Sequence, residues 1–161
     1  MNNLKVNIGV IGGSSVDEKT FDLAYQVGKH IAKNGAVLIC GGLGGVMEAA
    51  SKGASDNGGL AIGILPGEKK IDANPFIHIA LPSGIGSGRN ILVVRASDVL
   101  IAFPGSYGTL SEISFALTIG KTVVYMPGTW DLKKIGKIDS ALFKEAFEPA
   151  QAVGIALNSC R

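Results

Sequence analysis

Short apolar runs that break into glycine-rich turns recur along this chain, and a helical pattern follows most of the turns. The clearest example is Asp98–Phe103, which leads directly into Pro104–Glu112. A turn of this kind leaves free backbone N–H groups at the carboxyl end of a strand, and those groups and the helix dipole favour an anion. We expect the carboxylate of Glu112 in the first turn of the following helix, close to that anion. The combination predicts a binding loop.

The alternation of apolar runs and helical periodicity extends over most of the chain. Strands are predicted at 4–11, 36–40, 60–65, 76–81, 98–103 and 121–126. Helices are predicted from the capping-box pair Ser15 and Glu18 to Asn34, from Val46 to Asn57, from Leu110 to Gly120, and over 149–158. The run 91–96 suits either a strand or a helix; we assign 87–96 to a helix because parallel neighbouring strands need a connection between them.

Strands that are apolar throughout and alternate with helices indicate an α/β fold. We expect a three-layer α/β/α, Rossmann-like, doubly wound and mostly parallel sheet, formed by a single domain over 1–161. The 23 glycines and the charged fraction of only 17% fit buried strands joined by tight turns.

The net charge bears on the classes of partner that we expect, and the cysteine content bears on the cellular compartment. A net charge of +2 gives no general electrostatic case for nucleic acid or membrane binding. The basic cluster of Lys133, Lys134 and Lys137 is interpreted as a solvated loop. Two cysteines do not make a disulfide framework, and no apolar run reaches membrane-spanning length, so we expect a cytoplasmic protein.

Ligands of doubly wound sheets bind outside the carboxyl ends of the strands, where the strand order reverses. Four glycine-rich or polar segments should meet there, at 12–15, 41–45, 84–90 and 105–112. The candidate ligand-binding residues are Gly12, Gly13, Ser14, Gly41, Gly42, Gly44, Gly45, Ser87, Arg89, Asn90, Pro104, Gly105, Ser106, Tyr107, Gly108, Thr109 and Glu112.

Several familiar sites are absent from the sequence. Gly12–Asp17 does not supply the G-x-G-x-x-G fingerprint of dinucleotide-binding proteins, and no acidic residue follows the second strand. No glycine run ends in the Gly-Lys-Ser/Thr of a Walker A loop. His30 and His78 are too isolated for a metal site or a Ser-His-Asp triad. The crevice therefore suits a phosphate and the group attached to it, and neither a metal nor a folding cofactor is predicted.

Gly41–Met47 together with Pro104–Glu112 resembles the Rossmann-like superfamily that contains the LONELY GUY phosphoribohydrolases and the molybdenum cofactor carrier proteins. The similarity extends from Ile8 to about Pro127. It implies either a bound molybdenum cofactor (molybdopterin) or a nucleoside 5′-monophosphate, and it implies homodimers or larger assemblies. Members are often labelled "possible lysine decarboxylase", but no recognisable pyridoxal phosphate lysine site is present, so that activity is not expected.

Individual positions favour the carrier branch of this superfamily. Glu112 matches the final glutamate of the motif proline-glycine-glycine-x-glycine-threonine-x-x-glutamate, whereas Ser106 replaces its second glycine. Arg89 matches the arginine of the hydrolases' arginine-lysine pair, but Asn90 stands where the lysine would be. The segment 86–90 is more similar to the glycine-serine-x-arginine run of the carrier proteins.

Two functions are thus weighed, and the binding protein is placed first. A carrier would hold the phosphate of its ligand with Arg89 and the glycine turns. A phosphoribohydrolase would use Arg89 and Glu112 as catalytic residues, the carboxylate stabilising an oxocarbenium-like sugar or orienting water. A structural or signalling module whose crevice is vestigial is a third alternative. Separately, a purely structural Arg89–Glu112 ion pair is left open. The apolar run 91–94 exceeds what one buried helix face needs, which predicts packing against a second copy.

Overall fold

The computed structural model describes residues 4–128, 130–134 and 138–160. Its centre is a parallel β-sheet whose strands are buried between two layers of helices. The seven strands are β1 Asn7–Ile11, β2 Val37–Cys40, β3 Leu60–Leu65, β4 Ile79–Pro82, β5 Val99–Ala102, β6 Val123–Tyr125 and β7 Phe143–Glu145.

Five α-helices connect or follow these strands: α1 Glu18–Lys33, α2 Val46–Asp56, α3 Arg89–Ala96, α4 Tyr107–Thr118 and α5 Pro149–Asn158. Helices α1, α2 and α5 share one apolar core with one face of the sheet. Helices α3 and α4 form a second core on the opposite face. This is the three-layer α/β/α arrangement that the alternating sequence pattern predicts. In the described part of the chain, no helix has both the length and the apolar character needed to cross a membrane.

The strand order is β4-β3-β2-β1-β5-β6-β7, and all neighbouring pairs are parallel. Strands β2, β3 and β4 therefore lie in succession on one side of β1, and β5, β6 and β7 lie in succession on the other side. The reversal lies between β1 and β5. The carboxyl ends of these two central strands are the place where a doubly wound sheet opens a crevice.

Glycines allow α1 and α2 to approach one another closely. A Cβ on Gly28 would overlap the carbonyl oxygen of Ala50, and one on Gly53 would overlap that of Tyr25. The two helix backbones are therefore in direct contact at these glycines.

Some sequence expectations are wrong in detail. The N-cap of α1 is Asp17, whose carboxylate accepts from the N–H of Thr20 at 2.8 Å, rather than Ser15. Strand β1 begins at Asn7 instead of residue 4, and β4 covers Ile79–Pro82 instead of 76–81. Asp17 rather than Ser15 caps the helix because its side-chain acceptor lies directly before Glu18, the first helical residue.

The last strand, β7, is missing from the sequence prediction. It has three residues, Phe143–Glu145, and pairs with β6. A segment this short carries no readable alternation, and it is ordered by the open edge of β6. Lys137 of the basic cluster lies outside the described residues.

Candidate functional site

A cleft of about 340 Å³ opens at the carboxyl ends of β1, β2, β3 and β5, which includes the point of strand-order reversal. Ten of the sequence-predicted residues line it: Gly12, Ser14, Gly41, Ser87, Arg89, Asn90, Ser106, Gly108, Thr109 and Glu112. The four segments expected to converge are therefore brought together. The parallel orientation of the strands explains this, because the loops after β1, β2, β4 and β5 all emerge at the same edge.

The remaining predicted residues do not line this cleft. They are Gly13, Gly42, Gly44, Gly45, Pro104, Gly105 and Tyr107. Several of them hold the loops together: Gly13 N–H donates to the Pro104 carbonyl at 3.1 Å, and its own carbonyl accepts from Val46 at 2.9 Å. Gly45, with φ of 63°, adopts a conformation that favours glycine, and a Cβ there would overlap the Gly13 carbonyl.

The sequence analysis missed the apolar floor of the cleft. Five further residues line it: Val10, Ile11, Leu43, Met47 and Pro66. Their positions at strand ends or beside the glycine turns could have indicated Ile11, Leu43 and Pro66. An apolar floor beneath polar walls suits a ligand that carries both an anionic group and a less polar body.

Arg89 is the cation of this cleft. Its side chain is only 8% exposed, and it extends over Gly41, where a Cβ would lie 2.6 Å from Arg89 Nη2. Gly41 is therefore required to admit the guanidinium. Arg89 Nη1 donates to Asn90 Oδ1, whereas Nε is buried and has no hydrogen-bond partner among the described residues. A buried donor of a charged group without a partner is costly and rare, so the protein holds Arg89 in this position at a cost in stability.

Glu112 is the acidic group of the same cleft, and it is 7% exposed. Burial raises the pKa of Glu112 to about 7, and the positive charge of Arg89 opposes that rise. Burial also lowers the pKa of Arg89, which the negative charge of Glu112 counteracts. Across the described residues, the two side chains form no ion pair within 4.0 Å. The structural ion pair considered from the sequence is therefore not formed directly.

The position of Glu112 within its helix differs from the expectation. Helix α4 begins at Tyr107, so Glu112 lies in its second turn, and the first turn holds no acidic residue. The sequence suggested a start near Leu110. Because the carboxylate is displaced by one turn, it does not compete with a ligand for the first N–H groups of α4.

Three helices begin at the cleft without a side-chain cap. Helix α1 is capped by Asp17, but the N-cap residues of α2, α3 and α4 make no side-chain capping hydrogen bond; these are Gly45, Gly88 and Ser106. The first N–H of α2 donates to the Gly13 carbonyl and that of α3 to the Gly86 carbonyl, so in the described structure α4 is the helix whose first N–H groups are open to a ligand. The helix dipole places partial positive charge at this terminus, and together with Arg89 it makes the cleft suitable for an anion such as a phosphate. No group of residues able to hold a metal ion is found in the described ranges.

Comparison with known proteins places these features in a family. A model described as the SLOG cluster4 family matches residues 5–158. The structure is similar to that of the molybdenum cofactor binding protein from the phototrophic bacterium Rippkaea orientalis, with a TM-score of 0.91, 34% identity and 98% coverage of both chains.

Two further proteins represent the carrier and hydrolase branches. The molybdenum cofactor carrier protein of Chlamydomonas reinhardtii has a TM-score of 0.88 and 34% identity, covering 97% of this chain and 98% of that one. The cytokinin riboside 5′-monophosphate phosphoribohydrolase LOG of Oryza sativa subsp. japonica is 32% identical over 101 residues. That match covers 60% of this chain but only 41% of the rice enzyme.

Proposed function

The chain belongs to the SLOG cluster4 family, and on that premise we propose that it binds a phosphorylated pterin of the molybdenum cofactor type, as a binding or carrier protein. The cleft between the carboxyl ends of β1 and β5 is the proposed site. The cofactor is cargo in this proposal, so the protein folds without it. The overall similarity to two molybdenum cofactor proteins over nearly their whole length supports the choice of ligand.

The observation that carries the proposal is the state of Arg89. Its guanidinium is buried at the cleft, its Nε lacks a partner in the described structure, and its Nη1 is oriented by Asn90. The guanidinium lines the cleft, and its N–H groups would donate hydrogen bonds to phosphate oxygens. The planar donor fork of arginine fits phosphate in a way that a lysine would not.

Other groups of the cleft complement this arginine. The backbone N–H groups at the start of α4 and the hydroxyl of Thr109 are suited to the remaining phosphate oxygens. The carboxyl group of Glu112 would hydrogen-bond donors on the part of the ligand that lies in the cleft beside its phosphate. Its pKa of about 7 means that it also offers a proton of its own near neutral pH.

The first test is native mass spectrometry of freshly purified protein, followed by denaturation and fluorescence analysis of any released small molecule. We expect a retained phosphorylated pterin, and we expect Arg89→Met to lose it. Glu68→Gln, which changes an exposed residue outside the cleft, is the control. Protein that arrives empty and gains no thermal protection from any phosphorylated pterin would contradict the proposal.

A second function is supported by Glu112 itself. A buried carboxyl group with a pKa of about 7, lining the same cleft as Arg89, suits hydrolysis of an N-glycosidic bond. In that reaction, the bond from the sugar carbon to the base nitrogen breaks, the water oxygen bonds to that carbon, and the proton that the water loses goes to the departing base. The carboxylate form of Glu112 would stabilise positive charge on the sugar or orient the water. Asn90, in place of the hydrolases' lysine, weakens this alternative.

Chromatography of AMP incubations separates the two functions. Release of adenine and ribose 5-phosphate that is lost in Glu112→Gln would place the hydrolase first. Retention of pterin with no release of base would support the carrier. Base release that persists unchanged in both Glu112→Gln and Arg89→Met would indicate that the activity does not depend on the cleft.

We also propose that the protein acts in the cytoplasm as a homodimer or larger assembly. Helix α3 buries Val93 and Val94 but leaves Ile91 and Leu92 half exposed. Contact with a second copy would remove that apolar surface from water. Light scattering at micromolar concentration tests this, and a monomer mass would contradict it.

A further inference from the structure

A second pocket adjoins the cleft on the other side of the loop that begins α4. It has a volume of about 570 Å³ and is lined by Ser106, Tyr107, Leu110, Trp130, Asp131 and Lys134. We call it the side pocket. Ser106 lines both the side pocket and the cleft, so the two cavities are neighbours across one residue.

The wall between the two cavities is thin because it is built from glycine backbone. Gly105 lines the side pocket, and a Cβ at that position would overlap Thr109 Oγ1 and lie 2.9 Å from the N–H nitrogen of Gly13. No side chain can therefore thicken the wall at Gly105. Ser106, which the two cavities share, makes no side-chain capping hydrogen bond.

The side pocket differs in chemistry from the cleft. Its surface is mostly apolar and includes two aromatic side chains, Tyr107 and Trp130. Tyr107 is 91% exposed, although it is placed at the first residue of α4. Trp130 packs partly against the apolar core, and its carbonyl accepts from the Tyr125 hydroxyl at 3.4 Å. One aromatic side chain is thus anchored and the other is free to move.

Among the described residues, the charged groups that line this pocket are Asp131 and Lys134. Lys134 Nζ lies 3.2 Å from Asp131 Oδ2, and both side chains are largely exposed. They offer an acceptor and a donor to the edge of a ring. Flat aromatic walls with a few polar groups at the edge are what a planar nitrogen heterocycle requires, because every such ring has a face that stacks on aromatic side chains.

We propose that the side pocket binds the planar heteroaromatic ring of a ligand whose phosphate occupies the cleft. The inference rests on the proposed function, since it assumes a phosphate in the cleft. It assigns Tyr107, Trp130 and Leu110 to recognition of the ring, a role that the phosphate site does not need. Pterins and purines share this ring chemistry, and the experiment distinguishes them.

Trp130 makes the test direct, because it is the chain's single tryptophan. Three probes are titrated by calorimetry and tryptophan fluorescence: ribose 5-phosphate, AMP, and 6-hydroxymethylpterin phosphate. Adenine does not absorb tryptophan emission, so quenching by AMP requires contact with the indole. We expect AMP or the pterin to bind more tightly than ribose 5-phosphate, and the tighter of the two identifies the ring. We expect AMP, where it binds, to quench Trp130, and ribose 5-phosphate to bind without quenching.

The variant Tyr107→Ala should weaken binding of the preferred ring ligand by about 10-fold and leave ribose 5-phosphate unaffected. Tyr107→Phe keeps the ring face and should retain the affinity. Phe147→Ala is the matched control, because Phe147 is an exposed aromatic residue that lines neither cavity.

The failures of the two proposals are distinguishable. Equal affinity for ribose 5-phosphate and for both ring ligands would overturn the side-pocket inference alone. So would a ring ligand whose affinity survives Tyr107→Ala. Failure of all three probes to bind would overturn the proposed function, and the side-pocket inference with it.

Discussion

Replacing Glu112 with glutamine should change the pH dependence of stability in a direction opposite to that of a typical carboxylate. The side chain is 7% exposed, and burial raises its pKa from 4.5 to about 7. The folded protein therefore holds a proton on Glu112 at pH values where the unfolded chain has released it. Glutamine retains the shape of the neutral acid and removes the titration.

The sign and the size of this pH dependence follow from the thermodynamic linkage between protonation and folding. Between pH 4.5 and about 7 the native state binds more protons than the unfolded state, so the free energy of unfolding falls as pH rises through that range. A pKa that moves from 4.5 to about 7 corresponds to roughly 3 kcal/mol, since each factor of ten is about 1.36 kcal/mol. Glu112→Gln should match the wild type at pH 4 and exceed it by up to about 3 kcal/mol at pH 8.

Urea unfolding of ligand-free protein at pH 4, 6 and 8 measures this difference. Glu68→Gln is the control, because Glu68 is exposed, and we expect it to keep the wild-type pH profile. A Glu112→Gln variant that is less stable than the wild type at pH 8 would refute the reasoning. That result would mean that the ionised carboxylate is paired in the ligand-free protein.

Three further changes test other parts of the structure. Arg89→Met should weaken ribose 5-phosphate binding by at least about 10-fold in calorimetry. It should not lower the free energy of unfolding, because it removes a buried donor that has no partner. Marked destabilisation would contradict this. Gly105→Ala should cost about 1–3 kcal/mol in urea unfolding because its Cβ would overlap Thr109, whereas the control Gly154→Ala, with open space around its Cβ, should not destabilise. Lys121→Met should lower the free energy of unfolding by about 2 kcal/mol, because Lys121 Nζ donates to the carbonyls of Val94, Arg95 and Ser97 at the end of α3. An unchanged melting temperature would argue that these hydrogen bonds do not stabilise the helix end.

Local pattern was sufficient for most of the elements. Strand β3 and helix α5 have the predicted bounds, Leu60–Leu65 and Pro149–Asn158, because turn residues punctuate both ends of the strand and proline begins the helix. The ambiguous segment over 91–96 is helical, as the need for a crossover predicted. The errors occur where two local signals compete, as at the N-cap of α1, or where a segment is too short to show a period, as at β7.

The candidate site was predictable as a set of loops but not as a geometry. Glycine turns after apolar strands identified four segments, and parallel strands bring their carboxyl ends to one edge. Sequence did not reveal that Arg89 would be buried over Gly41, or that Glu112 would lie one turn further into α4. Both depend on how α3 and α4 pack on the sheet, which involves contacts between residues far apart in the chain.

The sequence by itself determined the fold class, the family resemblance and the positions of the loops that line the cleft, because these follow from periodicity, turn chemistry and motif spacing. Only the tertiary structure decided the chemistry of the cleft. An unpartnered Nε on Arg89, a carboxyl group with a pKa of about 7 at Glu112, and an aromatic pocket beside them exist only when packing removes water. Desolvation and hydrogen-bond satisfaction are properties of the assembled core, and no local pattern of residues encodes them.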